Sequence, residues 1–180
     1  MYERFDGSAK PPREEMVVRD PLFWDYFWLD QAERWSLASK DPSTKVGAVL
    51  VDEDNVLVST GFNGFPRGVR DLQERYNNRE LKYKFIMHAE ANAVMNAKGR
   101  TERCTLYVYP SFGVPPMCTE CAKLVIQAGV REVVGYEIQP EHLEASLRWQ
   151  ASIAISREMC DDTGIYYRTV PKRPVTVSVT

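Results

Sequence analysis

The stretch "CTLYVYPSFGVPPMCTECAKLVIQAGVREVVGY", Cys104 to Tyr136, decides the fold. "CTLYVYP" predicts a buried strand, "CTECAKLVIQAG" a helix capped by Gly129, and "REVVGY" the next strand. Strand, helix, strand in that order predicts a parallel pair with a right-handed crossover. Downstream, Pro140 to Met159 predicts a long helix with Leu143, Leu147, Ala151 and Ala154 on one face, and "GIYYRTV" a final strand. Upstream, Pro21 to about Lys40 carries Phe23, Trp24, Phe27, Ala32, Trp35 and Ala38 at helical spacing, with a proline suited to the first turn. Val46–Val51 and Val56–Thr60 flank the polar turn "DEDN" and predict a hairpin. "NGFPRGV" is loop chemistry, and Arg70–Lys84 is a charged connection with room for a helical turn. His88–Lys98 is alanine-rich and predicts a helix closed by Gly99. This order predicts an α/β fold, a three-layer αβα sandwich around a mixed sheet of about five strands. Residues 1–20 are expected to form a flexible N-terminal arm, residues 21–168 the domain, and residues 169–180 a C-terminal tail.

Composition narrows the function classes. The chain has 180 residues, 44% hydrophobic and 27% charged, a balance suited to one globular domain. No apolar run is long enough for a membrane span. The N-terminus lacks the apolar core of a secretory signal, and four cysteines in such a chain point to a reducing compartment, where paired thiols more often hold metal than form disulfides. The expected location is the cytoplasm, or a host's cytoplasm for a phage- or virus-encoded chain. A formal net charge of −2 argues against a long nucleic acid as partner and leaves a small nucleotide open.

"HAEANAV" (His88–Val94) and "PPMCTEC" (Pro115–Cys121) carry the chemistry. A catalytic zinc takes three protein ligands from imidazole and thiolate and leaves a fourth position for water. His88, Cys118 and Cys121 supply that set. The two cysteines lie one helical turn apart at a helix start, where the helix dipole favours thiolates. Alone, Cys118 and Cys121 would equally suit a redox pair or half of a structural zinc knuckle. Cys104 and Cys160 are expected to be packing residues, and His142 belongs to a surface helix. Glu90, two residues after the histidine, is the candidate general acid and base for hydrolytic deamination; a first-turn glutamate can also serve only the helix dipole. The order H-x-E followed by P-C-x-x-C is the signature of zinc-dependent nucleobase deaminases.

On "SKDPSTKVGAVLV", "GFNGFPRG", "HAEANAV" and "MCTEC", in that order, the chain resembles the deoxycytidylate (dCMP) deaminases of the cytidine deaminase superfamily over roughly Phe23–Tyr167. The resemblance implies a cytidine deaminase-like fold, zinc on His88, Cys118 and Cys121, proton transfer by Glu90, and conversion of dCMP to dUMP with release of ammonia. It also implies that Asn63 contacts the sugar or phosphate, with Ala89 beside the substrate, a homo-oligomeric assembly, and dCTP and dTTP as effectors. The chain departs from the pattern at Met117, which intervenes between Pro116 and Cys118. A second zinc site found in some members lies upstream of the catalytic histidine, but Asn63–Met87 has no Cys or His, so one zinc per chain is expected.

Substrate choice is read from loops. A monophosphate needs cationic or N–H-rich surroundings. Lys45 and Arg67, with Lys40 and Arg70 nearby, flank the turn and loop expected to overhang the site. Asn63 sits in a glycine-flanked loop, where its amide can serve either a ligand or the turn itself. The aromatic first helix, with Trp24, Phe27, Trp28 and Trp35, offers apolar surface for a second copy. Rival substrates are dCTP, a modified dCMP, a nucleoside or base, and tRNA. A non-catalytic zinc-stabilised binding module is the rival outside enzymes.

Overall fold

The computed structural model describes residues 18–173. Its elements are α1 (Phe23–Ser36), β1 (Gly47–Val51), β2 (Leu57–Phe62), α2 (Gln73–Asn77), α3 (Arg79–Phe85), α4 (Ala89–Asn96), β3 (Thr105–Tyr109), α5 (Thr119–Gln127), β4 (Glu132–Tyr136), α6 (Leu143–Thr163) and β5 (Tyr166–Val170). A 3-10 turn, Pro140–His142, leads into α6. The five strands form one sheet in the order β2-β1-β3-β4-β5. β1 runs antiparallel to both β2 and β3, while β3, β4 and β5 are mutually parallel. This is the expected mixed sheet. No helix among the described residues is long and apolar enough to cross a membrane.

Strand alternation divides the core in two. Val49, Val51, Tyr107, Val134 and Tyr136 face one side and are covered by α1 through Trp28, Leu29 and Ala32. Ala48, Leu50, Leu106, Val108 and Val133 face the other side, under α4, α5 and the Cys160 end of α6. A fully buried Val or Leu contributes roughly 1.5–3 kcal/mol, so these two clusters carry most of the stability. Polar contacts fix the single-helix layer. Asp25 of α1 accepts two hydrogen bonds from the Arg168 guanidinium of β5, at 2.8 and 2.9 Å, and Asp30 accepts from the Tyr136 hydroxyl at 2.7 Å.

Register gathers the loops at one edge. Gly47, the first residue of β1, pairs with Phe62 at the end of β2 and with Tyr109 at the end of β3. The loops entering β1 and leaving β2 and β3 therefore emerge side by side, at the strand ends where open α/β sheets gather ligands.

Three segments go beyond the sequence reading or depart from it. Arg70–Lys84 contains two short helices, α2 and α3, held by stacking of Phe65 on Tyr76 with ring centroids 4.3 Å apart. The face of α6 that carries Leu143, Leu147, Ala151 and Ala154 points outward: Leu143 is 55% and Leu147 64% exposed, and both alanines are also exposed. α6 instead buries Ser146, Ile153, Ser156 and Cys160. The reason is close approach of α5: Thr119 donates its backbone N–H to Ser152 Oγ and its hydroxyl to Ser152 O, at 2.9 and 2.8 Å. Small hydroxyl residues permit that approach, and Ser146 and Ser156 satisfy their own hydroxyls on carbonyls of the preceding turn. At the C-terminus, β5 reaches Val170, within the segment assigned to the tail, and Lys172 pairs with Glu33 at 2.9 Å. Residues 1–17, most of the expected arm, and residues 174–180 lie outside the described residues.

Two glycines set the distance between layers. A Cβ on Gly47 would meet Ala32 O of α1 at 2.0 Å, and one on Gly61 would meet Ala89 O of α4 at 2.2 Å. The start of α4 therefore lies directly on β2. Gly61→Ala is expected to cost about 1–3 kcal/mol in urea unfolding through overpacking, and to lower metal content by displacing His88. Wild-type stability with full metal loading would show that α4 has room to spare.

Candidate metal centre and substrate cleft

His88 is the N-cap of α4 and Cys118 the N-cap of α5, both with extended backbone. Glu90 and Cys121 follow in the first turns of those helices. Two helix N-termini thus aim their partial positive charge at the same place. His88 Nδ1 lies 3.3 Å from Cys118 Sγ and 3.5 Å from Cys121 Sγ, and the three ligand atoms lie within 4.8 Å of one another. A tetrahedral zinc, with Zn–S of about 2.3 Å and Zn–N of about 2.0 Å, separates sulfur from nitrogen by about 3.5 Å. The donor set and its spacing fit zinc. Cys118 and Cys121 are buried, and the Trp149 ring stands edge-on to His88 with centroids 5.8 Å apart.

Protonation follows from this crowding. Hydrogen bonding from the Cys121 thiol, with further help from His88, holds the Cys118 thiol down to about 4, while the Cys121 thiol is pushed up by Cys118 and by burial. Burial works against a charged His88, but the Cys118 contact and the Glu90 charge outweigh it and raise the imidazole to about 9. Metal binding requires both thiolates and a neutral imidazole, so it expels protons from the triad. Glu90 is 5% exposed, and burial raises its carboxyl above the usual range against the opposing pull of His88.

His88, Cys118 and Glu90 line a cleft with about 760 Å³ of empty space, its solvent-filled mouth included. Of the expected substrate residues, Asn63 lines the cleft. Its Oδ1 accepts from Val46 N at 2.8 Å and its Nδ2 donates to Thr44 O at 2.9 Å, so the amide braces the loop ahead of β1. One N–H and one lone pair remain beyond those bonds. Lys45 is exposed and lines an adjoining hollow that shares Thr44 and Arg148 with the cleft. Ala89 is fully buried, packed on β2, and not part of the cleft wall. Arg67 is also away from the wall, its guanidinium donating to Asn96 Oδ1 at 2.6 Å. Lys40 is paired with Asp71 at 2.6 Å.

Sequence reasoning missed Lys82, Tyr83, Arg148 and Trp149, all of which line the cleft. Arg148 and Trp149 become legible only once α6 is rotated to bury Ile153, and Lys82 only once α3 is known to form. Met117, noted for interrupting the cysteine motif, is 3% exposed and forms part of the wall beside Pro116.

Cys104 and Cys160 lie in the core, and His88, Cys118 and Cys121 are the metal-capable cluster found among the described residues. The purified protein is expected to hold one zinc per chain by elemental analysis. Cys118→Ser should weaken zinc binding by at least about tenfold and remove the rise in melting temperature that added zinc gives the stripped wild type. Undiminished zinc in that variant would exclude Cys118 as a ligand.

Comparison with known proteins agrees with this centre. The family model for the cytidine and deoxycytidylate deaminase zinc-binding region matches residues 23–137. An Aliivibrio fischeri protein named "Uncharacterized deaminase in luxG 3'region" is 38% identical over 82% of this chain and 94% of its own length. A probable deoxycytidylate deaminase of Drosophila melanogaster is 32% identical over 94% of this chain and 83% of its own. The deoxycytidylate deaminase of Pongo abelii is 38% identical over 64% of this chain, and the match spans 65% of that relative's length. The dCMP deaminase of cyanophage S-TIM5, solved with dCMP and dUMP, shares the fold at 23% identity and a TM-score of 0.60, over 85% of this chain and all of that one. With its histidine and two cysteines clustered at facing helix starts, the chain belongs to the cytidine and deoxycytidylate deaminase family of zinc-dependent enzymes.

Proposed function

We propose that the protein hydrolyses dCMP to dUMP and ammonia. The observation that carries the reaction type is Glu90, buried beside the triad, lining the cleft and outside the ligand set. Zinc, when bound by His88, Cys118 and Cys121, supplies the Lewis acidity that makes water nucleophilic near neutral pH. Glu90 takes a proton from the water that attacks C4 of the pyrimidine and hands it to N3. It then takes the remaining water proton from the new C4 hydroxyl and passes it to the exocyclic amine as the C4–N bond breaks, leaving a carbonyl at C4, a proton on N3 and free ammonia. Burial, which raises the Glu90 carboxyl, suits a group that must both accept and return a proton. Val46, Val108 and Ile153 give this end of the cleft apolar walls that exclude bulk water.

The relatives named as deoxycytidylate deaminases support a nucleotide substrate, and Arg148 supports the phosphate. Its side chain is 46% exposed, lines the cleft and is held only by a 3.6 Å contact with Glu144, leaving most of its donors free. Lys45 stands in the adjoining hollow as a second cation. Asn63 has capacity left for a sugar hydroxyl while it holds the loop. Arg67, engaged with Asn96, has no part in this reading. The four free cysteines favour a reducing compartment such as the cytoplasm. Homo-oligomerisation is favoured by the outward apolar residues of α6 and by Trp24, Phe27 and Trp35 of α1, which are 37–40% exposed.

The test is ammonia release from dCMP, dCTP, deoxycytidine, cytosine and guanine by the zinc-loaded protein, with and without dCTP and dTTP as effectors. dCMP is expected to be the best substrate, and equal rates on dCMP and deoxycytidine would remove the phosphate argument. Glu90→Gln is expected to lower kcat on the order of 10²- to 10⁴-fold with zinc content unchanged. Retained turnover in that variant would exclude Glu90 as the proton carrier. Arg148→Ala should raise KM for dCMP about tenfold or more, the loss of one charge-assisted contact, while leaving deoxycytidine kinetics within about twofold. Light scattering that finds only monomer at micromolar concentration would remove the homo-oligomer.

A further inference from the structure

One wall of the cleft is the loop from Asp41 to Val46, and buried charge sets its shape. Asp41 Oδ1 accepts from Ser43 N at 2.8 Å, from Thr44 N at 3.3 Å and from the Lys82 ammonium at 2.9 Å. Lys82 also donates to Ser43 Oγ at 3.1 Å. The two charged side chains are 3% and 5% exposed. From below, Asn63 grips Thr44 O and Val46 N, and Ser39 Oγ donates to Asn63 O at 2.8 Å. Lys82 comes from α3, 41 residues further along the chain, so a separate element reaches across to hold this loop.

A buried ion pair is a poor device for stability alone, because taking two charges from water offsets most of their attraction. It does impose a single geometry, since several donors must converge on one oxygen. The neighbouring residue on α3 reaches the reaction centre: the Tyr83 ring stands edge-on to Trp149 at 6.3 Å, and Trp149 stands against His88 at 5.8 Å. α3 thus touches the loop on one side and, through α6, the metal histidine on the other.

We propose that Lys82 is a positioning residue for the substrate. It acts through Asp41 to hold the 41–46 loop at the distance from Arg148 and Trp149 that a bound nucleotide needs. This rests on reading the cleft as the nucleotide site. The test uses the full zinc-loaded chain as Lys82→Met and as Lys82→Met with Asp41→Asn. The double variant removes the orphaned carboxylate, while asparagine can still accept from Ser43 and Thr44. The single variant is expected to melt lower and to raise KM. The double variant is expected to recover the melting temperature while KM stays about tenfold above wild type and kcat stays within about threefold, because a loosened wall weakens nucleotide binding and leaves the proton chemistry in place. A double variant with wild-type KM, or one that does not fold, would reduce the pair to a structural element and overturn the proposal. KM is compared on whichever substrate the wild type turns over best. Failure of dCMP to react therefore counts against the proposed substrate, and an unchanged KM counts against the clamp.

Discussion

Two helix N-termini face one another across the contact between His88 Nδ1 and the Cys118 and Cys121 sulfurs, and the rest of the chain keeps them there. Unaided, that arrangement is costly, since it directs two helix dipoles, an imidazole and two thiols at one buried point. The sheet makes it stable. Because β1 runs opposite to both its neighbours, β2 and β3 point the same way, and α4 and α5, which come after them in the chain, begin at the edge where those strands end. The bare Cα of Gly61 lets α4 settle onto β2, and the Thr119–Ser152 hydrogen bonds draw α5 against α6. Anything that shifts one of these layers shifts a ligand.

The site is graded from sealed to open. Glu90 and the two sulfurs are buried, where low polarity amplifies every charge. Arg148 lies nearer solvent, and Lys45 stands outside the cleft in the adjoining hollow. Changes at the inner end should alter turnover, and changes at the outer end should alter which nucleotide is accepted. The Asp41–Lys82 pair is buried like the first group, yet both residues line the cleft together with Arg148.

Much of this was legible in the sequence because the chemistry is local. A histidine with a glutamate two residues on, and two cysteines a helical turn apart, fix four positions without any tertiary information. The strands were equally plain, because β-branched runs bounded by turns have few other uses. Which face of the long helix α6 is buried was not legible, because its leucines lie outward and its buried stripe is largely serine and cysteine; only the proximity of α5 explains why small hydroxyl residues are preferred there. Lys82 was hidden for a related reason. A lysine in a charged segment reads as solvated until the carboxylate that buries it, 41 residues earlier, is known to be its neighbour. Arg67, attractive as a cation in a loop, proved to be occupied by Asn96.

The hydrogen bonds between Asp25 and Arg168 join residues 143 positions apart. During synthesis α1 emerges early, with a carboxylate whose guanidinium partner has not yet been translated. Its main seat, on β1 and β3, is complete once Tyr109 is made, so Leu29 and Ala32 find cover long before β5 exists. Only the tie between α1 and β5 must wait until Arg168 has left the ribosome. The three metal-capable side chains are all in hand once Cys121 is made, before the residues of α6 that brace α5 have been translated.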